Sequence, residues 1–234
     1  MTTPPPTGPQ LEDHHAEEEP VIVGRDSSFW ARDGALKVGE VPAGAVNINV
    51  TGKRLASPMQ GFGKLWQKTY TVALDGAEVT PQEVISAWKS RFSEFWPPKN
   101  SFYGPLAGIA PGETALLNLS VGGPMKLSTG VFVMYADDES FAFMNPQGHM
   151  FSGMITFSAE DRRGTTIVKV QPLVRASDPI YEIGMPLLMA KREDQFWQET
   201  LANVAAHFGV HGVPVKTEAV VLDKKRQWKN AKNV

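Results

Sequence analysis

Cysteine is absent from the chain, which excludes disulfides, thiolate nucleophiles, iron–sulfur clusters and cysteine zinc sites. A reducing, cytoplasmic setting fits that composition and is the expected location. No apolar run reaches the ~18 residues of a membrane-spanning helix, and Met1–Gln10 is Pro/Thr-rich without the basic and apolar regions of a secretory signal. The sequons Asn49-Val50-Thr51 and Asn118-Leu119-Ser120 then read as chance matches. Excess positive charge is also missing: Lys and Arg total 23 against 25 Asp and Glu, so a dedicated nucleic-acid binder is disfavoured. There is no G-x-S-x-G, H-E-x-x-H or phosphate loop. Gly61-Phe62-Gly63 opens like a dinucleotide fingerprint, but its third glycine is missing and a strand follows. No cofactor and no metal are expected. His14 and His15 sit in an acidic stretch that preorganises nothing, and His207 and His211 lack a third ligand.

What is present is an ordinary globular composition, 42% hydrophobic over 234 residues, enough for one domain with extensions or for two small ones. Residues 1–20 form a Pro-rich acidic tail expected to be disordered. Residues 21–63 read as an N-terminal extension of short strands or extended chain, 64–214 as the main domain, and 215–234 as a possible further strand with a solvated basic end, Lys224 to Lys229.

Within the main domain, residues 64–74 are strand-like, and a helix starts at Thr80 with Pro81 at its first position and Glu83 positioned for a capping box. Val84, Trp88, Phe92 and Phe95 mark its buried face, and Pro97-Pro98 stops it. Strand-like runs over 113–120, 128–136, 141–145, 149–160 and 165–177, separated by turn chemistry, predict a meander. Pro172 inside the last run predicts a bulge or an edge position. A long C-terminal helix then follows Asp178-Pro179, kinks at Pro186, carries Trp197, Leu201, Val204 and Phe208 on one stripe, and ends at Gly209. The class is α+β.

Strand, helix, five-strand meander and long C-terminal helix resemble, in that order, the START-like, polyketide-cyclase and pollen-allergen superfamily. That resemblance implies a helix-grip fold, a curved antiparallel sheet around the C-terminal helix enclosing a mostly apolar cavity. Gly148-His149-Met150-Phe151-Ser152-Gly153 with Phe157, then Ser177-x-Pro179 and Gly184-x-Pro186, resemble an uncharacterised family of bacteria and plants. It implies no catalytic residue.

The candidate residues come from strand parity. His149, Phe151, Gly153, Ile155 and Phe157 share one apolar face. His149 either binds a ligand carbonyl or phenol, acts as a general base near pH 7, or simply bonds a turn. Trp66, Lys68 and Tyr70 share a face of the first strand. Tyr70 is either a ligand handle or bonded to backbone, and Lys68 either snorkels to the surface or steers an acidic ligand. Arg175 either clamps an anion, if a bulge turns it inward, or pairs with Glu182 or Asp178. Asn118 and Gln171 interrupt apolar runs, and Met154, Met185 and Met189 suit a deformable pocket.

These residues support three functional readings. The first is a binding module for a small apolar or aromatic molecule, with Trp66, Tyr70, Phe132, Met134, His149, Phe151, Ile155 and Met185 around the ligand. The second is a cyclase-, aromatase- or hydrolase-like enzyme in the same pocket, with His149 as base and Tyr70 or Arg175 stabilising negative charge. The third is an interaction protein that recruits a protein partner through its charged tails.

Overall fold

The computed structural model describes residues 27–231 except 33, 40, 46–49, 123, 124 and 185. The acidic tail with His14 and His15, and the candidate Met185, therefore lie outside the described residues.

Local signals place the first elements. Strand β1 (Leu65–Ala73) is followed by helix α1 (Pro81–Ser90), whose Thr80 hydroxyl accepts from Glu83 N–H at 3.2 Å while the Glu83 carboxylate accepts from Thr80 N–H at 2.8 Å. Such a box contributes about 1 kcal/mol and fixes where the helix begins. The helix is shorter than its apolar stripe suggests. It gives way at Arg91 to a 3₁₀ turn, Phe92–Phe95, that carries the last two aromatic residues of that stripe into the core.

The rest of the chain forms β2 (Ser101–Tyr103), β3 (Thr114–Gly122), β4 (Met125–Ala136), β5 (Ser140–Met144), β6 (Phe151–Arg162) and β7 (Thr165–Ala176). A π-helical turn (Ile180–Gly184), helix α2 (Pro186–His207) and β8 (Lys216–Asp223) complete it. The strands make one eight-stranded sheet in the order β2-β3-β4-β5-β6-β7-β1-β8, and every neighbouring pair is antiparallel. The fold is α+β and of the helix-grip type, with the curved sheet wrapped around the C-terminal helix.

The concave face holds the main core. Tyr70, Val72, Leu74, Val131, Val133, Phe141, Phe143, Phe157, Val168 and Val170 of the sheet meet Trp88 of α1 and Leu201, Val204 and Ala205 of α2. Phe92 is the hub, its ring centroid 4.7 to 5.7 Å from those of Trp96, Phe102, Phe141, Phe143 and Phe157. Aromatic pairs at such distances each contribute about 0.5–1.5 kcal/mol beyond their area burial.

The convex face is covered too. Leu36, Val50, Leu116 and Phe132 form a second cluster, with Ala31, Leu55, Tyr103 and Met134 packed on it. The described residues between 27 and 60 thus lie over the back of the sheet, tied by bridges Trp30 to Tyr135 and Leu55 to Pro146. Gly130 admits them: a Cβ there would meet Val50 Cγ1 at 2.6 Å. This overturns the inward placement of Phe132 and Met134. Val131 and Val133 of β4 face the main core and Phe132 faces away, before an irregularity between Val133 and Tyr135 shifts the register of β4 on β5.

Pro172 makes neither a bulge nor an edge. The β6–β7 register runs unbroken from Phe151 opposite Ala176 to Arg162 opposite Thr165. The missing donor is accommodated on the other side, where the β1–β7 ladder stops at Gln67–Leu173 and resumes, in the same register, at Tyr70–Val170. Lys68 stands opposite Pro172 in that gap, and Gln171 donates a side-chain hydrogen bond to Thr69 Oγ1 at 3.0 Å beside it.

Because parity is kept, Arg175 faces the convex side, where it is 2% exposed. It donates to the carbonyls of Gly63 (2.7 Å) and Lys225 (3.1 Å) and to Asp223 Oδ2 (2.6 Å), which corrects both earlier options: neither an anion clamp nor a pair with Glu182 or Asp178. The glycines of Gly61-Phe62-Gly63 serve this close approach, since a Cβ on Gly61 would lie 2.7 Å from Arg175 Cβ. The C-terminal end follows the domain surface here, and its basic side chains Lys224, Lys225, Arg226 and Lys229 are exposed, as a solvated end requires. Trp228 packs edge-on to Phe62 at 5.0 Å, Asn230 Nδ2 donates to the carbonyls of Met59 and Gly61, and Arg226 pairs with Glu182.

Candidate functional site: a cavity between the sheet and α2

The aromatic side chains of the main core do not close completely over α2. They leave a cavity of about 160 Å³, walled by Phe92 and Trp96 from the turn after α1, Phe102 of β2, Leu117 and Leu119 of β3, Phe143 of β5, Phe151, Ile155 and Phe157 of β6, Pro172 and Val174 of β7, and Phe196 and Trp197 of α2. Polar groups reach it at few places, chiefly His149, Asn145, Arg192 and Glu193.

His149 lies in the turn before β6 and is 7% exposed. Its Nδ1 accepts from Phe151 N–H at 3.0 Å, while the Phe151 carbonyl is occupied by Asn145 Nδ2–H at 3.0 Å. Nδ1 also lies 3.2 Å from the Phe151 carbonyl; because the backbone N–H of Phe151 can only donate, we assign Nδ1 as the acceptor and the imidazole proton to Nε2, which has no partner among the described residues. Burial pushes the imidazolium pKa down to about 4, so the ring is neutral at pH 7. A neutral ring of lowered pKa is a weaker base than an ordinary imidazole. His149 lines the cavity and satisfies the turn with one nitrogen.

α2 contributes a charged cluster at the cavity edge. Glu193 Oε2 and Asp194 Oδ1 each accept from Lys68 Nζ at 2.8 Å, and the Tyr70 hydroxyl donates to Asp194 Oδ1 at 2.6 Å. Lys68 is therefore a buried cation, not a snorkelling one, and its partners are the protein's own carboxylates. Burial alone would lower its pKa, but Glu193 and Asp194 outweigh it and the pKa is raised. Burial raises the pKa of Glu193 despite Lys68. The same burial, together with Glu193 and Asp194, raises that of the Tyr70 phenol far above its ordinary value. Glu193 Oε1 and the Arg192 guanidinium have no partner among the described residues.

Of the residues singled out from sequence, the structure brings His149, Phe151 and Ile155 to the cavity. Tyr70 is fully buried in the core with its hydroxyl committed to Asp194, and Trp66, on the same strand face, does not reach the cavity. Phe132, Met134 and Arg175 lie on the other side of the sheet, and Asn118 there bonds Gly44 O and Ser128 Oγ. With Tyr70 off the wall and Arg175 behind the sheet, neither group meets His149 at the cavity. Sequence reasoning missed Arg192 and Glu193. The signal was there: Glu193 stands one turn before Trp197 and extends the stripe Trp197, Leu201 toward the helix N-terminus.

Fold and cavity together define a helix-grip protein whose sheet and C-terminal helix enclose an aromatic-walled space. Solved structures of that architecture resemble it. A START superfamily protein from Mycobacterium smegmatis is 18% identical, covers 62% of this chain and 97% of its own, and has a TM-score of 0.44. The KanY protein is 13% identical over 63% of this chain and 99% of its own, with a TM-score of 0.49. Ara h 8.0201 is 12% identical over 61% of this chain and 96% of its own, with a TM-score of 0.45. No family model matches the chain, and no curated protein does, so the likeness to the narrower bacterial and plant family rests on its motifs alone. Among the described residues no helix is long and apolar enough to cross a membrane, and no group of three or more His, Asp or Glu could hold a metal.

Proposed function

We propose that the protein binds a small, largely apolar ligand, about the size of a single aromatic ring, between its sheet and α2. The observation that carries this reading is the cavity of about 160 Å³ walled by aromatic side chains. A dry apolar cavity of about 150 Å³ in another protein takes up benzene, because dispersion contacts with the wall replace a void. The free N–H of His149 gives the ligand one point of orientation and favours a molecule with an oxygen acceptor on its ring. The cysteine-free composition supports a cytoplasmic setting.

Titration with toluene and phenol, followed through the fluorescence of wall residues Trp96 and Trp197, tests the reading. Saturable binding is expected, with phenol favoured over toluene, and Ile155→Phe, which places a ring in the space, should abolish it while leaving the melting temperature equal or higher. Absence of saturation with either probe, or unchanged binding by the filled variant, would sink the proposal.

A further inference from the structure

We propose that the cavity enolises a carbonyl compound, with Glu193 as the base that removes a proton from the carbon next to the carbonyl and His149 Nε2–H as the donor to the carbonyl oxygen. This rests on the ligand-binding reading and gives it a substrate class, a small ring-bearing ketone or aldehyde. Two observations carry it. His149 is more than nine-tenths buried, lines the cavity, accepts from Phe151 N–H at Nδ1 and leaves Nε2 without a partner among the described residues. Glu193, from α2, lines the same cavity, with Oε2 fixed by Lys68 at 2.8 Å and Oε1 without a partner.

The pairing suits the chemistry. Enolisation places negative charge on an oxygen, and a neutral N–H held in place by its turn stabilises that charge with little reorganisation. A neutral imidazole donates without giving up its proton, and a carboxylate of raised basicity accepts a proton from carbon. The two environments push the pKa values in the directions these roles need, His149 down to about 4 and Glu193 up.

The step balances without cofactor or oxidant. The C–H bond breaks and its proton goes to Glu193 Oε1. The electron pair forms the C=C bond of the enolate while the carbonyl π pair moves onto oxygen, hydrogen-bonded by His149. A proton returned to the same carbon completes an exchange, and one returned to a conjugated position completes an isomerisation. Lys68 and Asp194 position Glu193 and do not touch the substrate.

The test uses the full chain in deuterated buffer with acetophenone, a single-ring ketone with exchangeable methyl protons, following deuterium uptake by NMR and binding by Trp fluorescence. Wild type should accelerate exchange saturably over buffer. Glu193→Gln should bind acetophenone and lose about 10²-fold or more of that acceleration. His149→Asn keeps an oxygen for Phe151 N–H but removes the cavity donor, and should lose activity comparably; His149→Gln, which restores a donor near the Nε2 position, should recover part of it. If acetophenone binds and is not exchanged, or if Glu193→Gln exchanges as fast as wild type, the enolisation proposal is overturned and the binding reading stands. If acetophenone, toluene and phenol all fail to bind, both fall.

Discussion

Tyr70 of the sheet and Asp194 of α2 share a hydrogen bond of 2.6 Å at the edge of the main core, so a phenol that looked like a ligand handle is instead a clamp on the gripping helix. Tyr70→Phe removes one donor from Asp194 but leaves Lys68 in place. A loss of about 1–2 kcal/mol is expected in denaturant titration, with toluene affinity unchanged because Tyr70 is not on the cavity wall. A large fall in affinity at unchanged stability would return Tyr70 to the site.

Lys68 neutralises two adjacent carboxylates at 2.8 Å each. Lys68→Met leaves the largely buried Glu193 without its cation and beside Asp194, and a loss of about 3 kcal/mol at pH 7 is expected. The sign with pH is definite. The Glu193 pKa already lies above its unfolded value and rises further without the cation. The folded state then binds more protons than the unfolded state above pH ~4.5, and the variant regains stability as pH falls toward 5. A deficit that stays constant between pH 5 and 8 would contradict this.

His149 gives the opposite slope. Its folded pKa of about 4 lies below the unfolded 6.5, so the unfolded chain takes up a proton first and wild-type stability falls as pH drops through that window. The full difference amounts to about 3 kcal/mol. His149→Asn removes this component, so the stability gap between wild type and variant should narrow on acidification from pH 7 to 4. Parallel pH curves for the two proteins would show that the imidazole is not held neutral.

Gly153 sits at φ 149°, and a Cβ there would lie 2.2 Å from the carbonyl oxygen of Leu173 and 2.9 Å from Val174 Cα. Neither backbone atom can move without breaking the β6–β7 ladder. Gly153→Ala should cost at least about 4 kcal/mol or prevent folding, whereas Gly76→Ala, at a turn with open space around it and only a positive φ to oppose it, should cost about 1 kcal/mol. Comparable melting temperatures for the two would refute the assignment.

Short-range signals were legible in the sequence. The Thr80–Glu83 box, the turns of the meander and the stripe from Trp197 to Phe208 depend on neighbours within a few residues, and each lies where its local chemistry puts it. Strand faces were harder to read because Leu36, Val50 and Leu55 of the N-terminal extension pack on the convex side. Along β4, Val131 and Phe132 are both buried against different cores, so apolar alternation no longer marks one inner face. Arg175 was misjudged for a related reason: the partner that absorbs Pro172's missing donor is β1, about 100 residues away in sequence. Glu193 carried a local signal, its place on the helical stripe, but the cation that holds it comes from the opposite end of the domain.

The gap that Pro172 leaves between β1 and β7 has a mechanical side. Where β1 lacks backbone stitching to its neighbour, Lys68 fastens it to α2 by charge, so at this point the strand is moored to the helix as well as to the sheet. β8, the outermost strand, pairs its backbone with β1 alone, with side-chain ties from Arg175 to Asp223 and from Gln198 to Thr217. A guest that braces α2 from inside therefore tightens the mooring of β1, and backbone amide exchange along β1 and β8 is where the occupancy of a buried cavity would register at the rim of the sheet.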